Sequence, residues 1–151
     1  MKKDFYQLLN KQVAALLGGE SDLIAAMANF SALLYHELAD INWLGFYLCK
    51  NQKLTLGPFQ GKVACSGLPW NKGVCGEAAA QNRIMRVANV NEYPGHIACD
   101  SASQSEIVLP IVDDNRVVAV LDIDSPIINR FDEEDEYGLS LIVKTFENCI
   151  K

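Results

Sequence analysis

Residues 105–125 read SEIVLPIVDDNRVVAVLDIDS. Two runs rich in Val, Ile and Leu, from Ser105 to Val112 and from Arg116 to Asp124, flank the turn-forming triplet Asp113-Asp114-Asn115, and the pattern predicts a β-hairpin. Asp122 and Asp124 are two residues apart, so both face one side of the sheet while Leu121 and Ile123 face the other. If the loop has three residues, Val112 pairs with Arg116 and the same register sets Glu106 opposite Asp122. Three acids then share one patch, an arrangement that a slip of one residue would undo. Two like charges about 4 Å apart repel by roughly 4 kcal/mol at an effective dielectric of about 20. A solvated sheet face accounts for any one of these acids alone. The trio instead calls for a cation or a retained proton: an ammonium group on a small ligand would supply the first, and a protonated carboxyl is a ready general acid.

Upstream, Phe5, Leu8, Leu9, Val13, Leu16 and Leu17 recur at helical spacing until Gly18-Gly19, which predicts an amphipathic helix over 5–17. A second helix starts at Ser21 or Asp22, either a good N-cap, and carries Leu23, Ile24, Met27, Phe30, Leu33, Leu34 and Leu38 along one face. After Asp40 the period changes to two: Leu44, Phe46 and Leu48 alternate with Trp43, Gly45 and Tyr47, as in a strand. Asn51-Gln52 turns the chain into a second strand, Lys53 to Leu56, and the Gly/Pro-rich stretch 57–73 predicts a long irregular connection. Gly73 to Asn82 reads as a short helix with Cys75 in its first turn, Arg83 to Ala88 as a strand, and Asn89 to Ser103 as irregular. Asp132 caps a last helix with Leu139, Ile142, Val143, Phe146 and Ile150 on one face. The order α-α-β-β-α-β-β-β-α, joined by hairpins, is that of an α+β fold with an antiparallel sheet, in a single domain spanning 1–151.

Half of the 151 residues are apolar, yet no run approaches the roughly 18 needed to span a membrane. A net charge of −6 with scattered basic residues disfavours nucleic acid and anionic lipid as partners. The start MKKDFY leads into no apolar segment or cleavage site, so the expected location is the cytoplasm. Thiols stay reduced there, and five cysteines are not a resting disulfide framework. Cys49 and Cys149 read as packing residues. Cys65, Cys75 and Cys99 lie in Gly-rich or polar segments, where two sulfurs can meet after a loop movement. Local electrostatics rank Cys75 first, since a helix N-terminus favours its thiolate; Asp100 opposes that of Cys99, though a protonated His96 would offset it. Cys65, Cys75, His96 and Cys99 are also four zinc-type ligands, but without a Cys-x-x-Cys knuckle their spacing is poor. Trp43 and Tyr47 share a strand face, where they either pack or line a pocket.

Five segments, INWLGFYL (41–48), LGPFQGKVAC (56–65), GVCGEA (73–78), GHIACDSASQSEIVLP (95–110) and VLDIDS (120–125), together resemble the free methionine-(R)-sulfoxide reductases, a stand-alone GAF-domain family. The resemblance covers essentially the whole chain. It implies a six-stranded antiparallel sheet with helices on one side and a loop-covered pocket on the other. It also implies that Cys99 is the attacking thiol, displacing Cys75 from first rank, with Cys65 and Cys75 available to resolve it. Glu106, Asp122 and Asp124 would bind substrate, with Trp43 lining the pocket. The implied reaction passes through a sulfenic acid on Cys99 and an intramolecular disulfide, for which thioredoxin is a suitable external dithiol. Cys65 is the favoured partner because its loop holds Gly61, Gly67 and Gly73. No metal, flavin or nicotinamide cofactor is implied, and a homodimer is left open. Members usually carry a glycine near position 71, where this chain has Asn71 within SGLPWNK (66–72). The competing class is a non-catalytic GAF sensor that binds a small effector without turning it over.

Overall fold

The computed structural model describes residues 1–96 and 101–150. Its elements are α1 (Lys2–Leu17), α2 (Leu23–Glu37), β1 (Trp43–Lys50), β2 (Lys53–Gly61), β3 (Gly67–Leu68), α3 (Gly73–Gln81), β4 (Met85–Val87), β5 (Ser105–Asp113), β6 (Arg116–Ser125) and α4 (Glu133–Cys149). A single 3-10 turn, Val90–Glu92, follows β4. The strands form one antiparallel sheet in the order β3-β2-β1-β6-β5-β4. Among the described residues no helix is long and apolar enough to cross a membrane.

The hairpin expected over 105–124 forms, with a different register. Asp113 pairs with Arg116, so the turn holds only Asp114 and Asn115. Both have left-handed backbones, φ 52° and 62°, as a two-residue turn of type I′ requires. A bulge then leaves Val118 unpaired, because Val112 faces Val117 while Ile111 faces Ala119. Turn and bulge each move the register by one residue. Together they move it by two, one full period of a strand, so the acids keep their shared face while Glu106 comes to lie opposite Asp124 and Asp122 opposite Val108.

The second strand runs to Gly61, past the end at Leu56 that Gly57 and Pro58 predict. Gly45 faces Phe59 and Tyr47 faces Leu56, which leaves Gly57 and Pro58 together opposite Phe46 in a bulge, a position that accommodates a proline lacking its N–H. The two-residue β3, unmarked in the sequence, pairs with Leu54 and Thr55 and brings the strand count to six. Strand β4 is shorter than the expected 83–88.

Three helices cover one face of the sheet. Phe30, Leu34, Leu139, Ile142 and Phe146 from the helices pack on Leu44, Phe46, Ile107, Leu109, Leu121 and Ile123 in one buried core. Of the two candidate caps of α2, Asp22 serves, accepting a hydrogen bond from the Ala25 N–H at 2.9 Å. Asp132 caps α4 in a reciprocal capping box with Asp135. The buried Asp135 carboxylate also accepts hydrogen bonds from Tyr6 Oη at 2.7 Å and Lys2 Nζ at 2.8 Å, tying α1 to α4. The opposite face carries a second core around Tyr47, Leu54, Val74, Ala78, Val108 and Val120, to which the short α3 contributes.

The α1–α4 contact depends on Gly138, where an added Cβ would lie 2.3 Å from Tyr6 Cγ. Gly138→Ala therefore forces the Tyr6 ring off Asp135. The expected loss is about 1–3 kcal/mol, typical of overpacking, read as a lower urea midpoint at unchanged slope.

Candidate active site

The site lies on the α3 face of the sheet, where the register just described brings its residues together. Asp124 sits between Trp43 of β1 and Glu106 of β5, and Asp122 between Gly45 and Val108. With Tyr47, Cys75, His96, Ser103 and residues of the 63–76 segment they line a cavity of about 50 Å³. Glu106 and Asp122 are 5% and 6% exposed, so the solvated-face reading of these acids does not hold. Burial, reinforced by Asp122 and Asp124, holds the Glu106 carboxyl well above the usual carboxylate range. Burial raises Asp122 as well.

Trp43 and Tyr47 both line the cavity, and each also suspends the loop above it. Trp43 Nε1 donates to the Lys62 carbonyl at 3.1 Å, and Tyr47 Oη donates to the Cys65 carbonyl at 2.9 Å. Trp43 stacks between Tyr47 and Phe59, with ring centroids 6.0 and 5.2 Å away. Gly45 makes room for this stack, since a Cβ there would fall 2.2 Å from Phe59 Cβ. Gly61, at φ 127°, turns the chain off the sheet beside the Trp43 ring. At Asn71 the backbone is left-handed, φ 56°. Asn is among the few residues other than glycine that adopt this conformation readily.

The thiols differ in environment. Cys65 is disulfide-bonded, whereas Cys49, Cys75 and Cys149 are free. Cys99, the expected nucleophile, lies outside the described residues. Cys75 does occupy the first turn of α3, but it is buried with its Sγ 3.9 Å from Glu106 Oε2. Burial, then the charges of Asp122 and Glu106, push its thiol well up, which outweighs the helix N-terminus and corrects the ranking from local electrostatics. His96 Nε2 lies 3.8 Å from Glu106 Oε1, and burial lowers the pKa of its ring although Asp122 opposes this. The zinc set of Cys65, Cys75, His96 and Cys99 does not survive, because Cys65 is committed to a disulfide. The sequence reading missed Ser103, Lys72 and the backbone of 73–76 as cavity walls. For Lys72 and residues 73–76 the one sequence signal was the pair Gly73 and Gly76.

The GAF domain family model matches residues 26–151. The free methionine-R-sulfoxide reductase of Escherichia coli K12 is 52% identical over 149 residues, covering 99% of this chain and 90% of the relative. The chain belongs to the free methionine-R-sulfoxide reductase family of GAF-domain proteins. It is therefore an oxidoreductase by family. Among solved structures, the free methionine-R-sulfoxide reductase of Neisseria meningitidis in complex with its substrate superposes with a TM-score of 0.95 at 38% identity, covering 99% of this chain and 90% of that one. The substrate complex of the Staphylococcus aureus protein gives 0.93 at 49% identity, covering 97% and 95%. The six-stranded antiparallel sheet and helix layer are those of the family.

Placing these acids together in low dielectric opposes folding. In the folded chain Glu106 keeps its proton to higher pH than in the unfolded chain, where it ionises near 4.5, so stability is fully present below that value and lost as pH rises above it. Glu106→Gln removes this dependence. At about pH 8 the variant should unfold at a higher temperature than the parent, by a margin that shrinks toward pH 4.5. A constant margin across that range would contradict the assignment.

Proposed function

We propose that this chain reduces free L-methionine (R)-sulfoxide to L-methionine. The observation that carries the reading is the convergence of Glu106, Asp122 and Asp124 on one cavity, beneath the segment that bears the disulfide-bonded Cys65. Two relatives solved with their substrates support the choice of ligand. The Cys99 thiolate attacks the sulfoxide sulfur while a protonated carboxyl delivers a proton to the oxygen. Sulfur is reduced by two electrons, methionine leaves, and Cys99 becomes a sulfenic acid. Glu106 is the proposed acid, since its environment favours the protonated form most strongly. The Cys65 thiol then displaces water from the sulfenic acid to form the disulfide, and an external dithiol such as thioredoxin in the cytoplasm restores both thiols. Support for Cys65 over Cys75 is that Cys65 is disulfide-bonded while Cys75 is a free, buried thiol.

The cavity volume, about 50 Å³, is far below the roughly 300 Å³ at which small-molecule pockets begin. On this reading, reduction releases Cys65 from its disulfide and lets the 61–73 segment move to admit substrate.

Asp122 and Asp124 receive the α-ammonium, and Trp43 and Tyr47 flank the side chain. Only the free amino acid carries that cation. N-acetyl-methionine sulfoxide should fall behind the free form by about four orders of magnitude in kcat/KM, and similar values for the two would refute the carboxylate assignment. Cys99→Ser should release no methionine. Pre-reduced Cys65→Ser should complete its first methionine release but cycle slowly with thioredoxin, and mass mapping should find no Cys99 disulfide. Normal cycling in that variant would transfer the resolving role to Cys75. A non-catalytic sensor would instead bind methionine sulfoxide with no methionine formed and no thiols consumed, in the parent protein as in the variants.

A further inference from the structure

The corner of the cavity beneath α3 holds two acids and a thiol in close contact. One ligand atom each from Cys75, Glu106 and Asp122 lies within 4.8 Å of the others, and all three residues are buried. The Asp122 carboxyl is hydrogen-bonded to Glu106 and Cys75, yet among the described residues its Oδ1 has no hydrogen-bond partner, although the residue is only 6% exposed and faces the cavity. Among the described residues no Lys or Arg forms an ion pair with Glu106 or Asp122; the basic group nearest them in an ion pair is His96, 3.8 Å from Glu106. An acceptor left unpaired in low dielectric, beside a second acid and an ionisable sulfur, has the electrostatics of an empty cation site.

We propose that Cys75, Glu106 and Asp122 form a binding site for a divalent cation of the zinc class, with one thiolate and two carboxylate ligands and the fourth position open to the cavity. In a tetrahedral zinc site, sulfur and oxygen ligands lie roughly 3.5 Å apart. The 3.9 Å from Cys75 Sγ to Glu106 Oε2 needs only a small contraction. The cavity of about 50 Å³ has room for a water beside the ion at the open position. The sulfur ligand selects zinc, cobalt or cadmium over calcium and magnesium. Binding releases the Cys75 proton and any proton held between the carboxyls, so affinity rises with pH. The ion is an inhibitor rather than a cofactor: on the proposed function, it occupies Asp122, which would receive the substrate ammonium, and Glu106, the proposed general acid.

The test needs no turnover, so its outcome stands apart from that of the reductase reading. Cobalt(II) is titrated into the full chain under non-reducing conditions, with the Cys65 disulfide intact, and absorbance is recorded at equilibrium. The expected result is one equivalent bound with a thiolate-to-cobalt charge-transfer band that zinc bleaches by displacement. Cys75→Ser should lose the band, Asp122→Asn should weaken cobalt binding by about tenfold or more, and Cys49→Ser and Cys149→Ser should leave both unchanged. Absence of the band in the parent, its survival in Cys75→Ser, or unchanged affinity in Asp122→Asn would overturn the proposal. Should Cys75→Ser fail to fold, Asp122→Asn decides the matter alone.

Discussion

The pairing of β5 with β6 governs the rest of the molecule. One face of this hairpin carries Ile107, Leu109, Leu121 and Ile123 into the main core, and the other carries Glu106, Asp122 and Asp124 into the cavity. A register error of one residue would exchange the two sets, burying acids among the helices and turning isoleucines into the site. The type I′ turn at Asp114-Asn115 and the bulge at Val118 prevent this only in combination, since either alone shifts the register by one. The apolar face then stabilises a fold whose polar face is electrostatically unfavourable.

The two faces of the sheet are also held differently. The helix face is continuous, and Asp135 cross-links α1 to α4 through Tyr6 and Lys2. The cavity face is covered by segments that hang from the sheet at a few points. Trp43 and Tyr47 hold the loop through one hydrogen bond each, both to its backbone carbonyls. Such anchors fix the path of the chain while leaving the Cys65 side chain uncommitted to them.

Environment, rather than sequence neighbourhood, separates the thiols. Cys75 has the helix N-terminus that would ordinarily acidify it, yet burial and two facing acids reverse the effect. Its neutral thiol donates to Glu106, and both groups gain from retaining their protons. The same grouping that keeps Cys75 un-ionised makes its corner receptive to a cation, because a divalent ion would replace those protons and relieve the repulsion at once.

Much was legible in the sequence because it is written in local rules. Period-two and period-3.6 patterns placed both opening helices, β1, the hairpin and α4. Asp22 and Asp132 marked caps, and the spacing of Asp122 and Asp124 put both on one face. The aromatic pair Trp43 and Tyr47 was visible for the same reason. Local rules failed where two distant segments had to agree. The continuation of β2 past Pro58 depends on a bulge against β1, and β3 exists only because Leu54 and Thr55 offer it an edge. The partner of Glu106 changed from Asp122 to Asp124 because bulges leave no mark in a hydrophobic pattern. The sequence by itself determined the α+β class, the two faces of the hairpin and the identity of the acids, since these follow from backbone periodicity. Only the tertiary structure decided the depth of their burial, the protonation of Cys75 and the suspension of the Cys65 loop from two aromatic side chains. Those properties are set by how much water is excluded when distant segments pack, and no stretch of sequence carries that quantity alone.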